Sequence, residues 1–303
     1  MALLVLVLLA MTAYVAIIAW SINSRLQKVD ALSQASAVEG TTYLVAGSDR
    51  RGEGSVEADG TEGQRADSLL LIRKAKNGQA AVISLPRDTY VEIPGHGPNK
   101  LNAAFSFGGP VLTVATVEAM TGLKIDHYAE IGMEGVEGLV NAVGGVYLCY
   151  DQDVHDPNSQ MYWQAGCHPS DGRTALAFSR MRYHDPRGDI GRTERQRQVI
   201  SQLMAEVLSK KVILSPKATM RVADAGLKAV RVDHDASIFT LADMLLTMKK
   251  ASKNGLQGTP PLASLNYQPG GVGSTVQLDP ARIEDFWGKL KTGQKSTQDL
   301  QCI

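Results

Sequence analysis

Two apolar runs within residues 67–86, "DSLLLIRKAKNGQAAVISLP", constrain the fold most strongly. They are joined at Asn77-Gly78. This dipeptide between apolar runs is the strongest short-range signal of a β-hairpin, because both residues tolerate a positive φ angle. The two runs therefore predict a pair of antiparallel strands.

Other strand-like and helix-like segments alternate along the chain. Strands are predicted at 42–46, 90–93, 126–131, 146–150 and 275–278. Helices are predicted at 99–106, 110–121, 133–143, 172–181, 192–211, 215–229, 238–252 and 280–290. Strands that alternate with helices indicate a sheet covered on both faces. We predict an α/β fold: a three-layer α-β-α sandwich around a central mixed sheet, in a single domain.

The first twenty residues, "MALLVLVLLAMTAYVAIIAW", contain no charged side chain. About twenty apolar residues are enough to span a bilayer. A cleaved signal peptide is less consistent, since the run is long and its flank lacks an A-x-A cleavage site. We predict an N-terminal transmembrane helix at 1–22, a stalk at 23–40, a folded domain at 41–292 and a tail at 293–303.

The charge balance of the chain excludes some partners. Lys+Arg and Asp+Glu both number 31, and aromatic residues make up 6% of the sequence. Neutrality removes any global attraction to nucleic acid. Nucleotide-binding glycine loops, a G-x-S-x-G elbow and an H-E-x-x-H motif are absent from the sequence, which disfavours standard nucleotide or serine hydrolases.

The sequence has three cysteines, Cys149, Cys167 and Cys302. No C-x-x-C pair occurs, so zinc binding is disfavoured. A disulfide between Cys149 and Cys167 is the preferred interpretation and would contribute about 3 kcal/mol. Two separate buried thiols remain the alternative.

Six arginines lie between residues 179 and 198, "SRMRYHDPRGDIGRTERQRQ". Arg192 and Gln196 continue the apolar stripe that includes Val199, at the predicted N-terminal end of a helix. Arginine at such a position is suited to a phosphate group. Pairing of Arg192 with Asp189 or Glu194 is the structural alternative.

The arginines of this segment fall into two groups. Arg180 and Arg182 alternate, so they point to one side if the segment is extended. We expect them to converge with Arg192 on one anion. Arg187, Arg195 and Arg197 fall outside this set and are interpreted as surface charges.

Acidic residues occur at the ends of predicted strands. Asp49 follows one strand and Asp67 precedes the next, with Arg65 two residues before Asp67. The pair Arg87-Asp88 lies at the end of another predicted strand. Ligand sites in open α/β sheets form beyond strand ends. Two carboxylates together with phosphate oxygens are typical of an Mg²⁺ site.

Several of these segments resemble motifs of the LytR-CpsA-Psr family. They are "LVAGSDRR", "RADSLLLI", "VISLPRDTYVEIPGHGPNKLNAAFSFGG", "VNAVGGV", "DGRTALAFSRMRY" and "GDIGRTERQRQVI". The resemblance covers about residues 42–210. It implies a membrane-anchored transferase that moves a glycopolymer from a polyprenyl-pyrophosphate carrier to peptidoglycan or a surface-protein acceptor. Charge neutrality and the low aromatic content predict that nucleic acid is not a partner.

The same resemblance assigns roles to individual residues. The metal ligands are Asp49 and Asp67, for Mg²⁺ with Mn²⁺ as the alternative. Residues that match the pyrophosphate-binding set are Arg65, Arg87, Arg180, Arg182, Arg192 and Gln196. The catalytic group comprises Asp67, Arg87, Arg182 and Asp189, the last as a base or as a residue that orients the arginines.

The resemblance also bears on location. Arg25 and Lys28 follow the apolar run and nothing basic precedes it, which on charge alone would keep the domain inside. Family membership implies instead a single-pass protein of the cell membrane with an extracytoplasmic catalytic domain at 41–292. In having a cysteine at position 167, the chain resembles actinobacterial members of the family that have an extra disulfide. Hydrolysis of the same pyrophosphate, or non-catalytic lipid-phosphate sensing by a transcriptional regulator, remains an alternative function.

Overall fold

The computed structural model describes residues 19–48, 66–157, 159–181, 188–254, 256–295 and 300. The side chains of 67, 133–134, 188–190 and 193 are outside this description. The strands are β1 (Gln27–Lys28), β2 (Thr41–Ser48), β3 (Ala66–Lys74), β4 (Ala80–Leu85), β5 (Tyr90–Ile93), β6 (Gly97–Lys100), β7 (His127–Gly132), β8 (Val146–Tyr150), β9 (Val154–Asp156), β10 (Met161–Trp163), β11 (Gly166–Ser170), β12 (Val230–Val232), β13 (Gln257–Gly258), β14 (Leu262–Tyr267) and β15 (Thr275–Leu278).

Helices alternate with these strands. They are α1 (Leu101–Thr121), α2 (Met133–Val143), α3 (Gly172–Arg180), α4 (Gly188–Val207), α5 (Lys210–Ile213), α6 (Pro216–Ala229), α7 (Ile238–Lys253) and α8 (Ile283–Thr292). The central sheet of the described residues has the order β1-β12-β7-β2-β3-β4-β13. It is mixed, because β2 pairs parallel with β7 and antiparallel with β3. The predicted mixed α/β domain is confirmed.

Both faces of the sheet are covered by helices. Alternate strand residues point to opposite faces, and Leu44 and Leu71 pack in one cluster with Val117 of α1 and Leu290 of α8. Tyr43, Ile72 and Val82 pack in another cluster with residues of α4, α6 and α7. A third cluster joins α2, α3 and α4 to the hairpins formed by β8 to β11. The strands are thus buried on both sides, as their apolar sequence requires.

The Asn77-Gly78 hairpin forms as predicted. The β3 and β4 strands pair antiparallel from Leu69 with Leu85 to Lys74 with Ala80. Gly78 adopts φ +80°, and its amide donates to the Ala75 carbonyl at 2.8 Å. The positive φ explains why glycine occupies the tip of this turn.

Residues 23–40 belong to the folded domain and do not form a separate stalk. Gln27 and Lys28 pair parallel with β12, at the edge of the central sheet. Leu26 and Ala31 are buried, and Lys28 Nζ donates to the Asp233 carbonyl at 3.1 Å. The strand in this segment has only two residues, which is too short to give a recognisable strand pattern in the sequence.

Part of the predicted tail also packs on the domain. Lys295 is buried, and its amide donates to Gln79 Oε1 at 2.9 Å. Leu300 lies in the core beneath α1 and α8. Residues 293–295 and 300 therefore extend the domain beyond its predicted end at 292.

Within the described residues, α1 is long and apolar enough to cross a membrane. Leu101, Phe105, Val114 and Val117 of this helix are buried in the protein core, which accounts for its composition. The helix is also broken at Gly108 and Gly109, just before Pro110. The predicted anchor at 1–22 lies outside the description except for residues 19–22.

Candidate functional site

Three strand ends meet at one edge of the central sheet. Ser48, the last residue of β2, pairs with Ala66 at the start of β3. Leu85, at the end of β4, pairs with Leu69 of β3. The backbone of Asp67 and the turn that carries Arg87 therefore lie at the same edge, and Asp49 follows Ser48 directly in sequence.

Several predicted site residues cannot be placed. Asp49, Arg65 and Arg182 lie outside the described residues. Asp67 lies in β3 and Asp189 in the first turn of α4, but their side chains are not described. The metal pair and the base therefore stay predictions.

Arg87 lies in a charged turn after β4. Its Nε is 3.3 Å from Asp88 Oδ2, and Lys100 Nζ is 3.1 Å from Asp88 Oδ1. The three side chains are between 18% and 29% exposed. Asp88 thus holds two cations together at a surface where a ligand can still reach them.

Backbone hydrogen bonds fix this turn from two directions. The Asn102 amide, at the start of α1, donates to the Arg87 carbonyl at 2.9 Å. The Val276 amide, from β15, donates to the Asp88 carbonyl at 2.8 Å. Sequence reasoning identified Arg87 and Asp88, but it had no means of finding the contact with β15.

Lys100 was missed by the sequence interpretation. It is the N-cap residue of α1 and makes no side-chain cap hydrogen bond. A cation is unfavourable beside the positive end of a helix dipole unless an anion offsets it. The lysine immediately before the helical pattern was therefore a usable signal, and Asp88 is the anion that the structure supplies.

The second group of predicted residues lies on α3 and α4. Arg180 is exposed in the last turn of α3, whereas Arg192 and Gln196 are partly buried on α4. Arg192 and Gln196 are four residues apart, so they occupy the same helix face. The predicted helix start at 192 is wrong, since α4 begins at Gly188.

Arg195 is buried and is not the surface charge that was predicted. It is 3% exposed, and its Nε donates to the Phe178 carbonyl at 3.1 Å. Its Nη2 donates to the Met181 carbonyl. Stepping back by four residues from Leu203 and Val199, both buried, reaches Arg195 and places it on the core-facing stripe.

This guanidinium links the two cation-bearing helices. The two carbonyls that it binds flank Arg180 in sequence, and Arg192 is three residues before it on α4. Arg195 therefore fixes the position of the Arg180 backbone relative to α4. The other predicted surface charges have different outcomes: Arg197 is partly buried, and Arg187 lies outside the described residues.

The disulfide between Cys149 and Cys167 is present and joins β8 to β11. Gln198 of α4 accepts from the Cys149 amide at 2.9 Å and donates to the Cys149 carbonyl at 3.2 Å. A cleft of about 380 Å³ lies between this hairpin and α4, lined partly by Glu194 and Arg195. The disulfide hairpin is thus fastened to the helix that carries Arg192 and Gln196.

A buried polar group lies beneath the end of β2. Ser48 Oγ donates to Glu130 Oε1 at 2.8 Å, and Glu130 Oε2 is 3.9 Å from Arg231 Nη1. Glu130 and Ser48 are at most 1% exposed. Burial, and next the nearby Glu130 carboxylate, raises the pKa of the Tyr128 hydroxyl, so Tyr128 stays neutral. The contacts among Ser48, Glu130 and Arg231 thus hold the end of β2 in place, directly before Asp49 in sequence.

Comparison with known proteins identifies relatives of the whole domain. The model of the LytR_cpsA_psr family matches residues 11–291. A probable cell wall biosynthesis protein, LcpB of Corynebacterium glutamicum, is 36% identical over 279 residues, which cover 89% of this chain and 66% of that protein. The polyisoprenyl-teichoic acid–peptidoglycan teichoic acid transferase TagU of Enterococcus faecalis is 36% identical over 223 residues, covering 72% of this chain and 70% of that protein.

A solved structure supports the fold. The LytR-Csp2A-Psr enzyme from Actinomyces oris superimposes with a TM-score of 0.71, at 20% identity, and the match covers 91% of this chain and 98% of that one. At this identity the likeness concerns the fold alone. The chain spans about two thirds of the length of the two sequence relatives.

Proposed function

Because the chain belongs to the LytR-CpsA-Psr family, we propose that it is a glycopolymer phosphotransferase. It takes the polymer from a polyprenyl-pyrophosphate carrier and attaches it to peptidoglycan or another cell-surface acceptor through a phosphodiester. The observation that carries the proposal is the Arg87–Asp88–Lys100 turn, at the sheet edge that also holds the backbone of Asp67. The name of TagU, a teichoic acid transferase, favours transfer over hydrolysis or regulation, and the name of LcpB places that relative in cell wall biosynthesis.

Charge explains why this turn suits a diphosphate. Arg87 and Lys100 place two positively charged groups on either side of the Asp88 carboxylate. A guanidinium and an ammonium group held side by side favour phosphate oxygens. Because Asp88 and the backbone bonds hold both cations in advance, little ordering cost remains when the ligand binds.

Arg192 and Gln196 supply the other side of the proposed site. They share one face of α4, and the Arg195 linkage ties that helix to the end of α3 where Arg180 lies. Arg192 neutralises phosphate charge, and the Gln196 amide donates to an oxygen. We propose Arg65 and Arg182 as the remaining pyrophosphate-binding residues.

The proposed reaction is a displacement at phosphorus. The acceptor hydroxyl oxygen attacks the phosphorus on the sugar side of the pyrophosphate, and a new O–P bond forms. The bond from that phosphorus to the bridging oxygen breaks, so polyprenyl monophosphate leaves with the electron pair. The hydroxyl proton passes to a base, for which we propose Asp189. The arginines stabilise charge that grows on the phosphate oxygens.

We propose Asp49 and Asp67 as ligands of Mg²⁺, with Mn²⁺ as the alternative. The β2–β3 register supports this assignment, because Ser48 pairs with Ala66 and the two aspartates are the next residues in sequence. Carboxylates at neighbouring strand ends are donors of the kind that Mg²⁺ prefers. The ion would supply charge neutralisation on the pyrophosphate.

We propose that residues 1–22 anchor the chain in the cell membrane and that the domain is extracytoplasmic. The Cys149–Cys167 disulfide supports this location. Disulfides persist in oxidising compartments and are rare in the cytosol.

Turnover of a polyprenyl-pyrophosphate-linked glycan by the full chain in detergent, with purified peptidoglycan as acceptor, tests the site. We expect Arg87→Ala or Arg192→Ala to lower kcat/KM by about 100-fold, because each removes charge stabilisation from the transition state. Arg173→Ala is the matched control, since Arg173 is exposed at the opposite end of α3 from Arg180. Unchanged kcat/KM in Arg87→Ala and Arg192→Ala would refute the site assignment.

A further inference from the structure

One surface of the domain combines exposed apolar side chains with a cluster of positively charged side chains. Residues 210–221, "KKVILSPKATMR", include four cations and no acidic residue. The large exposed apolar side chains are Ile213 at 59%, Leu214 at 77% and Met220 at 37%. We define the basic–apolar surface by the exposed residues Lys210, Lys211, Ile213, Leu214, Lys217, Met220 and Arg221.

This surface is a folded part of the domain. Ser209 caps α5, and its side chain accepts from the Val212 amide. Ser215 caps α6, and Thr219 Oγ1 donates to the Val212 carbonyl at 2.8 Å. Val212 and Ala218 point inward and are buried. The α5–α6 turn thus presents its remaining side chains outward in a fixed arrangement.

The surface lies beside the segment that leads from the apolar N-terminus. Arg25 Nη1 is 3.3 Å from Asp224 Oδ1 on α6, and Met220 is one turn before Asp224. Gln27 Nε2 donates to the Leu227 carbonyl of the same helix at 3.1 Å. The chain therefore enters the domain along the helix that carries the basic–apolar surface.

Two further exposed aromatic residues accompany this entry point. Trp20 is 73% exposed and directly follows nineteen uncharged residues. Phe239 is 64% exposed at the start of α7, where the Ile238 amide donates to Asn23 Oδ1 at 2.8 Å. Tryptophan and phenylalanine are typical of side chains that lie at the boundary between lipid and water.

We propose that the basic–apolar surface, with Trp20 and Phe239, rests on the membrane that the N-terminal segment enters. The inference rests on the proposed anchor. Exposed apolar residues interleaved with lysine and arginine are the pattern of elements that lie in a membrane interface, and the cations fit anionic headgroups. Through the contacts of Arg25, Gln27 and Asn23, the membrane would set the orientation of the whole domain.

The experiment uses the full chain with Cys302→Ser, reconstituted into vesicles of phosphatidylcholine with or without phosphatidylglycerol. Single variants Leu214→Cys and Phe239→Cys are labelled with an environment-sensitive fluorophore under non-reducing conditions, which preserve the Cys149–Cys167 disulfide. Tyr162→Cys is the control, because Tyr162 is 66% exposed on β10 and lies outside the basic–apolar surface. Nitroxide-labelled lipids then act as quenchers.

We expect nitroxide lipids to quench at least about half of the emission at positions 214 and 239 and little at 162. Lys210→Glu with Lys217→Glu should reduce quenching at 214 most in vesicles that contain phosphatidylglycerol. Equal quenching at all three positions, or none at 214 and 239, overturns the proposal. A blue shift at 214 without lipid quenching also overturns it, since it indicates contact with protein, such as a second copy of the chain. Vesicle flotation tests the anchor separately. A chain that is inserted in the membrane floats with the vesicles, and a chain that does not float shows that the proposed anchor has failed.

Discussion

Replacing Arg195 by methionine should destabilise the domain strongly, although the position belongs to a segment rich in surface charge. The guanidinium donates to the carbonyls of Phe178 and Met181 in a site where the side chain is 3% exposed. Methionine fills similar space but offers no donor. Two buried carbonyls at the end of α3 would lose these donors.

The magnitude follows from these two bonds. A hydrogen bond from a charged donor contributes about 1.5–3 kcal/mol, so two contribute about 3–6 kcal/mol. Burying a charge is itself costly, and its removal offsets part of the loss. The lost contact of the Arg195 guanidinium with the Tyr150 ring, at 5.7 Å, adds a smaller cost. We expect a net loss of about 2–4 kcal/mol in the free energy of unfolding.

The assay is urea denaturation followed by far-UV circular dichroism, with the disulfide intact. Arg173→Met serves as the matched control, since this exposed arginine should change stability by no more than about 0.5 kcal/mol. We expect the midpoint of Arg195→Met to fall at unchanged slope. If Arg195→Met and Arg173→Met unfold at the same urea concentration, the buried linkage between α3 and α4 is refuted.

Three further predictions concern stability, each measured by urea denaturation. Cys149→Ser with Cys167→Ser should lose about 3 kcal/mol, because the disulfide joins two residues with a sequence separation of 18; an unchanged midpoint would contradict this. Asp171→Ala should lose about 1 kcal/mol at pH 7, because the Asp171 side chain caps α3 at the Thr174 amide. That amide lowers the pKa of Asp171, so its contribution is present above about pH 4 and is lost as pH falls through the lowered pKa; a loss that persists fully in acid would argue against the cap. Gly172→Ala should lose about 1–3 kcal/mol, since an added Cβ lies 2.2 Å from the Glu137 carbonyl oxygen, whereas Gly138→Ala meets no atom within 4 Å and should be tolerated.

The sequence predicted those elements of the fold whose signals are local. The Asn77-Gly78 hairpin and helix α2, which ends at Val143 and is capped by Gly144, were recognised because turn and helix-end residues mark their boundaries. The strands β1, β12 and β13 have only two or three residues each. Such short segments form strands because they pair with residues distant in sequence, so no local sequence pattern predicts them.

The candidate site divides in the same way. Arg87 was found because it follows a predicted strand, and Lys100 was overlooked because its link to Asp88 depends on the fold. Arg195 was misassigned through the choice of helical phase: steps of three from Val199 lead to Gln196, and steps of four lead to Arg195. Only the positions of the Phe178 and Met181 carbonyls decide which side chain is buried.

The most direct test of the proposed transfer reaction is a product balance. The full chain is incubated with Mg²⁺, a polyprenyl-pyrophosphate-linked glycan and peptidoglycan, and the products are quantified by mass spectrometry. The proposal predicts equal amounts of polyprenyl monophosphate and of glycan joined to peptidoglycan through a phosphodiester. Polyprenyl monophosphate accompanied only by free glycan phosphate would show hydrolysis and contradict the proposed transferase.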